Sequence, residues 1–202
     1  MPDTPEVQAP AAFRAALNAV HAATTREELT VTEIPAPTGL APWSIALAAD
    51  VTPARHGSDS DLGTGRFILL FDPEEPEAWG GAFRVVCYAQ APLEAEIGVD
   101  PFIANVAWSW LVDALDSRGA GYSAASGTAT KTLSTGFGEL ATQADVAQIE
   151  LRASWSPVVE AGTDHDLKAH VEAWGELLCM LAGLPPAAEG VSLLSAHRVG
   201  RG

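Results

Sequence analysis

The stretch that most constrains the fold of this chain runs from Asp100 to Gly119 and has the pattern of one helix with a narrow polar face. Asp100 suits the residue before the first turn, Pro101 the first helical position, and Gly119 the left-handed residue that ends a helix. At 100° per residue, the polar strip contains only Asn105, Ser109, Asp113 and Asp116. We therefore expect this helix to be covered on two sides, by a sheet and by another helix or a second subunit.

The apolar part of this helix divides into two stripes. The first includes Ile103, Ala107 and Leu111, and the second consists of Trp108, Val112 and Leu115. Because a single sheet covers only one stripe, the second one is either covered by the other predicted helices or is a partner interface, of a homodimer or of a complex with another protein; the interface is the leading hypothesis.

Hydrophobic periodicity along the rest of the chain predicts the order α-ββββ-α-ββ-α. Helices are expected at about 10–23 and 164–182, and strands at 29–34, 43–51, 66–71, 82–90, 122–133 and 146–155. No strand–helix–strand repeat at short spacing occurs, so the predicted class is α+β, with a mainly antiparallel sheet of about five to six strands and helices packed on one face. Residues 10–195 form one domain in this interpretation, with flexible tails at 1–9 and 196–202.

The charge of the chain limits its partners. There are 26 acidic and 11 basic residues, which give a formal net charge of −15. This charge opposes binding to nucleic acid or to an anionic membrane surface. The sequence has neither a secretion signal nor an apolar stretch that would cross a bilayer, so we expect a cytoplasmic protein whose two cysteines are reduced core thiols.

Three arginines form the first candidate site. Arg66, Arg84 and Arg152 each lie on the less apolar face of their own predicted strand. If these strands are neighbours, the guanidinium groups converge on one open face and can hold a carboxylate or a phosphate. The alternative is that they pair with nearby carboxylates such as Glu150. The hypothesis requires all three side chains to lie on one surface.

A second candidate is His170, on the last predicted helix. His170 lies near the apolar stripe of Trp174, which would shift the pKa of the imidazole. A shifted pKa would suit His170 to act as an acid or a base in a pocket. The plainer interpretation is a local ion pair with Asp166, which lies four residues earlier.

Other motifs are incomplete. Asp59–Gly63 begins like a calcium loop but lacks the later ligands, and the stretch from Gly127 to Thr132 has the wrong glycine spacing for a phosphate loop. The sequence therefore predicts no metal site, no cofactor and no catalytic residue.

Several strings taken together resemble one family. They are Ile34-Pro-Ala-Pro37 with Leu40-Ala-Pro42, Thr64-Gly-Arg-Phe-Ile-Leu-Leu70, Ala107-Trp-Ser-Trp-Leu111, Gly127-Thr-Ala-Thr-Lys-Thr132, Ile149-Glu-Leu-Arg-Ala-Ser-Trp-Ser-Pro157, and Glu172-Ala-Trp-Gly-Glu-Leu-Leu-Cys179 with Ala182-Gly-Leu-Pro-Pro186. Over about residues 10–195 the chain resembles an actinobacterial family labelled "domain of unknown function 3000". The resemblance implies a single-domain cytoplasmic bacterial protein and carries no activity, cofactor or site residues.

The element order is also loosely similar to that of the dimeric chaperones of type III secretion, in which the middle helix often lies at the dimer interface. This likeness is topological and rests on no motif. The sequence thus leads to two hypotheses. The first is a non-enzymatic interaction protein, and the second is a small-molecule or anion binder, or an enzyme, that uses the arginine-bearing face or a pocket near His170.

Overall fold

The computed structural model describes residues 9–52, 62–141, 145–158 and 167–185. These residues form an α+β fold in the expected order, and the predicted fold class is confirmed. The helices and strands are α1 (Ala11–His21), β1 (Leu29–Ile34), β2 (Trp43–Val51), β3 (Gly63–Phe71), β4 (Phe83–Leu93), α2 (Ala95–Gly98), α3 (Ile103–Ser117), β5 (Tyr122–Ser134), β6 (Val146–Pro157) and α4 (Leu167–Leu181), with a 3₁₀ turn at Gly138–Leu140.

All six strands belong to one sheet. Their spatial order is β1-β2-β3-β4-β6-β5, and every neighbouring pair is antiparallel. The first four strands follow the chain as a meander, whereas β6 lies between β4 and β5. Among the described strands, β1 and β5 therefore form the two edges of the sheet. Side chains alternate between the two faces of each strand, so this register decides which residues share a surface.

One face of the sheet carries the helices. The odd-numbered residues of β2, β3, β4 and β6 point into this core, as Phe67, Val85, Leu151 and Trp155 do with no exposed surface. Helix α4 packs on β2, β3, β4 and β6 and contacts both α1 and α3. Helix α4 is thus the middle of the helical layer, with α1 on one side and α3 on the other.

The most buried helix is therefore α4 and not the helix after Asp100, for which the sequence predicts cover on two sides. Twelve of the fifteen residues of α4 are buried, against five of the fifteen in α3. Helix α3 also begins at Ile103 rather than at Pro101. Asp100 still accepts a hydrogen bond at the N-terminal end of α3, from the N–H of Phe102 at 2.8 Å. At the other end of the helix, Gly119 has the left-handed conformation, with φ +64°.

The predicted polar strip of α3 is confirmed, because Asn105, Ser109, Asp113 and Asp116 are all exposed. The sequence pattern did not reveal the short helix α2. Both predicted tails, 1–9 and 196–202, lie outside the described residues apart from Ala9.

An ionic cluster ties α4 to the elements beside it. Glu176, whose side chain is 7% exposed, lies 3.3 Å from Arg26 Nη1 and 3.3 Å from Arg118 Nη2. Arg26 also binds Glu28 at 2.7 Å, and Arg118 lies 3.4 Å from Glu172. The hydrogen bond from Arg26 lowers the pKa of Glu28 below its usual range. The cluster thus joins the loop between α1 and β1, the C-terminal end of α3 and the side of α4 that carries Glu172 and Glu176.

Close approach of α4 to the sheet depends on Gly65 in β3. A Cβ atom at this position would lie 2.6 Å from Leu178 Cδ2 and 3.0 Å from the carbonyl oxygen of Tyr88. We expect Gly65→Ala to lower the free energy of unfolding by about 1–3 kcal/mol, since overpacking forces side chains and backbone to shift. Gly81→Ala is the matched control, because a Cβ there meets nothing within 4 Å.

Urea unfolding of both variants checks this prediction. Equal midpoints for Gly65→Ala and the wild-type chain would show that Leu178 moves aside without cost.

Candidate functional site

Within the described residues, no helix packs on the face of the sheet opposite the helical layer, and this face is open around Arg66, Tyr88 and Arg152. The register pairs Ala48 with Arg66, Arg66 with Tyr88, and Tyr88 with Arg152. Paired residues point to the same side of a sheet, so these four form one row across the open face. All four are exposed or half-buried, in contrast to the buried residues on the helix side of the same strands.

A shallow groove of about 470 Å³ follows this row. Arg66 and Arg152 lie on either side of Tyr88, and Ile68 and Val86 form the next row of its lining. The two arginines are two strands apart, which places their Cα atoms roughly 10 Å from each other. The groove therefore combines an apolar and aromatic lining with a guanidinium group at each side.

Arg152 is oriented by its neighbours. Its guanidinium carbon lies 5.6 Å from the centroid of the Tyr88 ring, and its Nε donates to Glu150 Oε1 at 2.7 Å. For Arg152, the alternative interpretation of pairing with Glu150 is thus confirmed. Because the Arg152 side chain is 67% exposed, solvent screens this ion pair, and the pair contributes little to stability.

Tyr88 supplies the polar centre of the groove. Its hydroxyl lies within hydrogen-bond distance of Gln90 Oε1 and, at 3.2 Å, of Glu150 Oε2. Burial and the nearby Glu150 carboxylate raise the pKa of Tyr88 above its ordinary value of 10. Tyr88 therefore stays protonated at neutral pH and can donate or accept a hydrogen bond.

Arg84 lies on the same open face, at a different place. It precedes Tyr88 by four residues on β4, about 13 Å along the strand. Its guanidinium donates to Ser154 Oγ at 2.6 Å, to Ser156 Oγ at 3.1 Å and to the carbonyl oxygen of Ala124 at 3.0 Å. Burial lowers the pKa of Arg84 from its usual value. Arg84 thus ties β4 and β6 to the irregular start of β5.

The structure therefore places the three arginines on one surface and brings only two of them together. Among the described residues, Arg66 makes no hydrogen bond or ion pair, and Arg84 contacts only neutral groups. Because Glu150 pairs with Arg152, the groove holds a local excess of one positive charge, from Arg66, in a chain with a net charge of −15.

His170 is on the other side of the sheet, in the core. It is 2% exposed, and its Nδ1 accepts a hydrogen bond from Trp155 Nε1 at 3.1 Å. A second hydrogen bond joins the ring to the backbone of Gly121, and burial lowers the pKa of His170 to about 4. The predicted ligand-binding set of Arg66, Arg84, Arg152 and His170 thus does not meet at one place. Asp166, its suggested ion-pair partner, lies outside the described residues.

The predicted partner interface on α3 is largely occupied within the chain. Leu115 is 1% exposed and belongs to the core, so it is not available to a partner. Trp108 is half-buried against β5, where a Cβ on Gly127 would lie 2.7 Å from its ring. Val112 is also half-buried. The second cover of α3 is therefore β5, together with α4, because β5 extends the sheet beneath this helix.

The remaining sequence candidates have structural roles. Lys131 lies in a strand, and its Nζ donates to the carbonyl oxygen of Asp100 at 2.9 Å. Cys87 and Cys179 are free and buried, and burial raises the pKa of the Cys87 thiol to about 12, so it is a poor nucleophile.

Residues 59–61 of the calcium-like loop lie outside the described residues. No helix in the described ranges is long and apolar enough to cross a membrane.

The residues that sequence reasoning missed are Tyr88, Ile68 and Val86. Each occupies an alternate position in its strand, which indicates a shared face within that strand only. Their meeting with Arg66 and Arg152 depends on the register between strands, for which the sequence holds no local signal.

A family model matches residues 9–192 and is described as protein of unknown function, DUF3000. The chain belongs to this family. The match covers every described helix and strand, so the resemblance found in the sequence strings extends to the whole fold. The comparisons with curated proteins and with solved structures find no match.

The buried neutral histidine predicts a pH-dependent stability. An unfolded histidine binds a proton below its ordinary pKa of about 6.5, whereas folded His170 does so only near 4. The unfolded state therefore binds more protons in this interval, and the free energy of unfolding falls as the pH falls. Between pH 7 and pH 5, above the range in which most carboxylates titrate, we expect a loss of about 2 kcal/mol.

Urea unfolding at several pH values measures this loss. His170→Gln should flatten the dependence, since glutamine retains an acceptor for Trp155, and His21→Gln at an exposed position should preserve it. A wild-type stability that is constant over this interval would contradict a neutral buried His170.

Proposed function

We propose that this protein is a binding protein whose open sheet face takes an anionic ligand. The observation that carries the proposal is the row in which Arg66 and Arg152 flank Tyr88 along a groove on the face opposite the helices. Guanidinium groups suit planar anions such as carboxylates and phosphates, which they bind through two parallel hydrogen bonds. Arg66 lacks a hydrogen-bonded or ionic partner among the described residues and is the leading anchor.

The lining of the groove supports a ligand with an apolar or aromatic part. Ile68 and Val86 are half-buried side chains beside the Tyr88 ring. Burial of apolar surface adds about 25 cal/mol for each Å² removed from water. An anion attached to a ring should therefore bind more tightly than a bare anion of the same charge.

The groups in the groove favour binding over catalysis. Arginine stays charged at any physiological pH, and Tyr88 stays protonated because its pKa is raised. Neither exchanges a proton readily near neutral pH, as a general acid or base must. The function we propose is thus recognition of an anionic small molecule or of an anionic group on a larger one.

Thermal unfolding with phenyl phosphate, inorganic phosphate and phenol tests this proposal. At a hundredfold excess over its Kd, a ligand stabilises by about 2.7 kcal/mol, which corresponds to roughly 5–10 °C in Tm for a chain of this size. We expect phenyl phosphate to give the larger shift, inorganic phosphate a smaller one, and phenol none. High salt should weaken both phosphate effects.

Arg66→Gln and Arg152→Gln should each remove most of the shift that phenyl phosphate causes. Arg14→Gln is the matched control, since it removes the same charge from an exposed position on α1. The proposal fails if phenyl phosphate leaves the wild-type Tm unchanged, or if Arg14→Gln reduces the shift as much as the groove variants do.

A further inference from the structure

The two edges of the sheet differ in their protection against pairing with another chain. Natural edge strands are commonly short, charged, or interrupted by proline. Strand β1 has six residues, carries Glu33 and is followed directly by Pro35. Strand β5 has thirteen residues and contains no proline and no acidic residue. All of its residues are exposed except Tyr122 and Ala129, which are half-buried.

The irregularity of β5 is confined to its beginning. The register with β6 shifts between Ser123 and Ser126, where Ala124 has φ +50°. From Ser126 to Ser134 the pairing with β6 is uninterrupted. Within the described residues, nothing pairs with the outer edge of this nine-residue stretch.

We propose that this edge pairs with the same edge of a second copy, in an antiparallel register centred on Thr130. This two-fold arrangement would join two six-stranded sheets into one continuous sheet of twelve strands. It is the register that aligns the whole regular stretch with itself. The partner is a second copy because, in this register, the side chains of β5 complement those of the same strand on both faces of the sheet.

On the open side of the sheet, this register matches hydroxyl groups. Thr130 lies opposite Thr130 of the second copy. Likewise, Thr128 lies opposite Thr132 of the second copy, and Ser126 lies opposite its Ser134. Pairs of threonine and serine across two strands are favourable, and pairs of like charges are not. Two copies that each carry a net charge of −15 meet here along a strand whose only charge is Lys131.

On the helix side, the register places a protruding side chain over a depression. Trp108, Gly127 and Ala129 line a depression of about 470 Å³ together with Ala104 and Asn105. Leu133 points to the same side, because it pairs with the buried Ala147, and it is 48% exposed. Centring on Thr130 sets Leu133 of each copy opposite Gly127 of the other, beside Trp108. In this proposal Trp108 is an interface residue, as the sequence predicts. It would contact Leu133 of the second copy at the edge of the sheet, and not a partner on an exposed face of α3.

The mass of the full chain in solution tests this proposal, by sedimentation velocity over a range of concentrations. The mass of the wild-type protein should be about twice the 21.0 kDa of a single chain. Thr128→Glu with Thr132→Glu places like charges opposite each other twice and should raise the Kd of the dimer at least about tenfold. Thr128→Glu with Thr132→Lys places opposite charges together in the same register and should keep the Kd within about threefold.

The matched control adds the same two charges to the other edge. Thr30→Glu with Thr32→Glu, at exposed positions of β1, should leave the dimer unchanged. Leu133→Ala should weaken the dimer without adding charge, which keeps the test decisive if a charged variant unfolds. Arg66→Gln should remain dimeric, so failure of the anion site does not affect this result.

A wild-type chain that stays monomeric at the highest concentrations would overturn the proposal, and pairing with a segment of another protein would then be the remaining use of this edge. Equal weakening by the β1 and β5 charges would overturn it as well. So would a Thr128→Glu, Thr132→Lys variant as weak as the doubly acidic one, because it would exclude the register centred on Thr130.

Discussion

The rest of the structure depends on the burial of α4. A helix that is apolar nearly all round must be surrounded, and twelve of its fifteen residues are buried. The Trp174 ring packs 5.7 Å from that of Phe67 in the sheet, and His170 accepts a hydrogen bond from Trp155. The sheet covers one side of α4, and α1 and α3 cover its flanks. This requirement gathers all three long helices on one face, and no helix of the described residues packs on the other face of the sheet.

Burying α4 also places charged and polar groups where their pairing matters. Glu176 faces Arg26 and Arg118 at the rim of the helical layer, and this pairing offsets the cost of removing its carboxylate from water. His170 remains neutral because a charged imidazole in the core would lose its hydration. The polar groups of α4 thus join it to its neighbours, and the groups of the proposed anion site lie on the other side of the sheet.

The uncovered surfaces differ in chemistry, and each suits a different use. The open face has guanidinium groups around an aromatic ring, a combination that recognises anions with apolar parts. The edge of β5 has small and hydroxyl-bearing side chains, which let another backbone approach closely. The two proposals are compatible, because pairing of two copies along β5 would bring no acidic residue of that strand to the interface and would leave the groove around Tyr88 on a separate surface.

The sequence by itself determined the long helices, the strands and the family. Strands β1 and β2 have the bounds that their β-branched and alternating residues indicated, because these patterns depend on neighbours along the chain. The polar strip of α3 was equally local. Only the tertiary structure decided that α4 is the central helix, that β6 lies between β4 and β5, and that Arg66, Tyr88 and Arg152 share a row while Arg84 does not. These outcomes follow from strand order and register, which are set by packing between residues far apart in the chain.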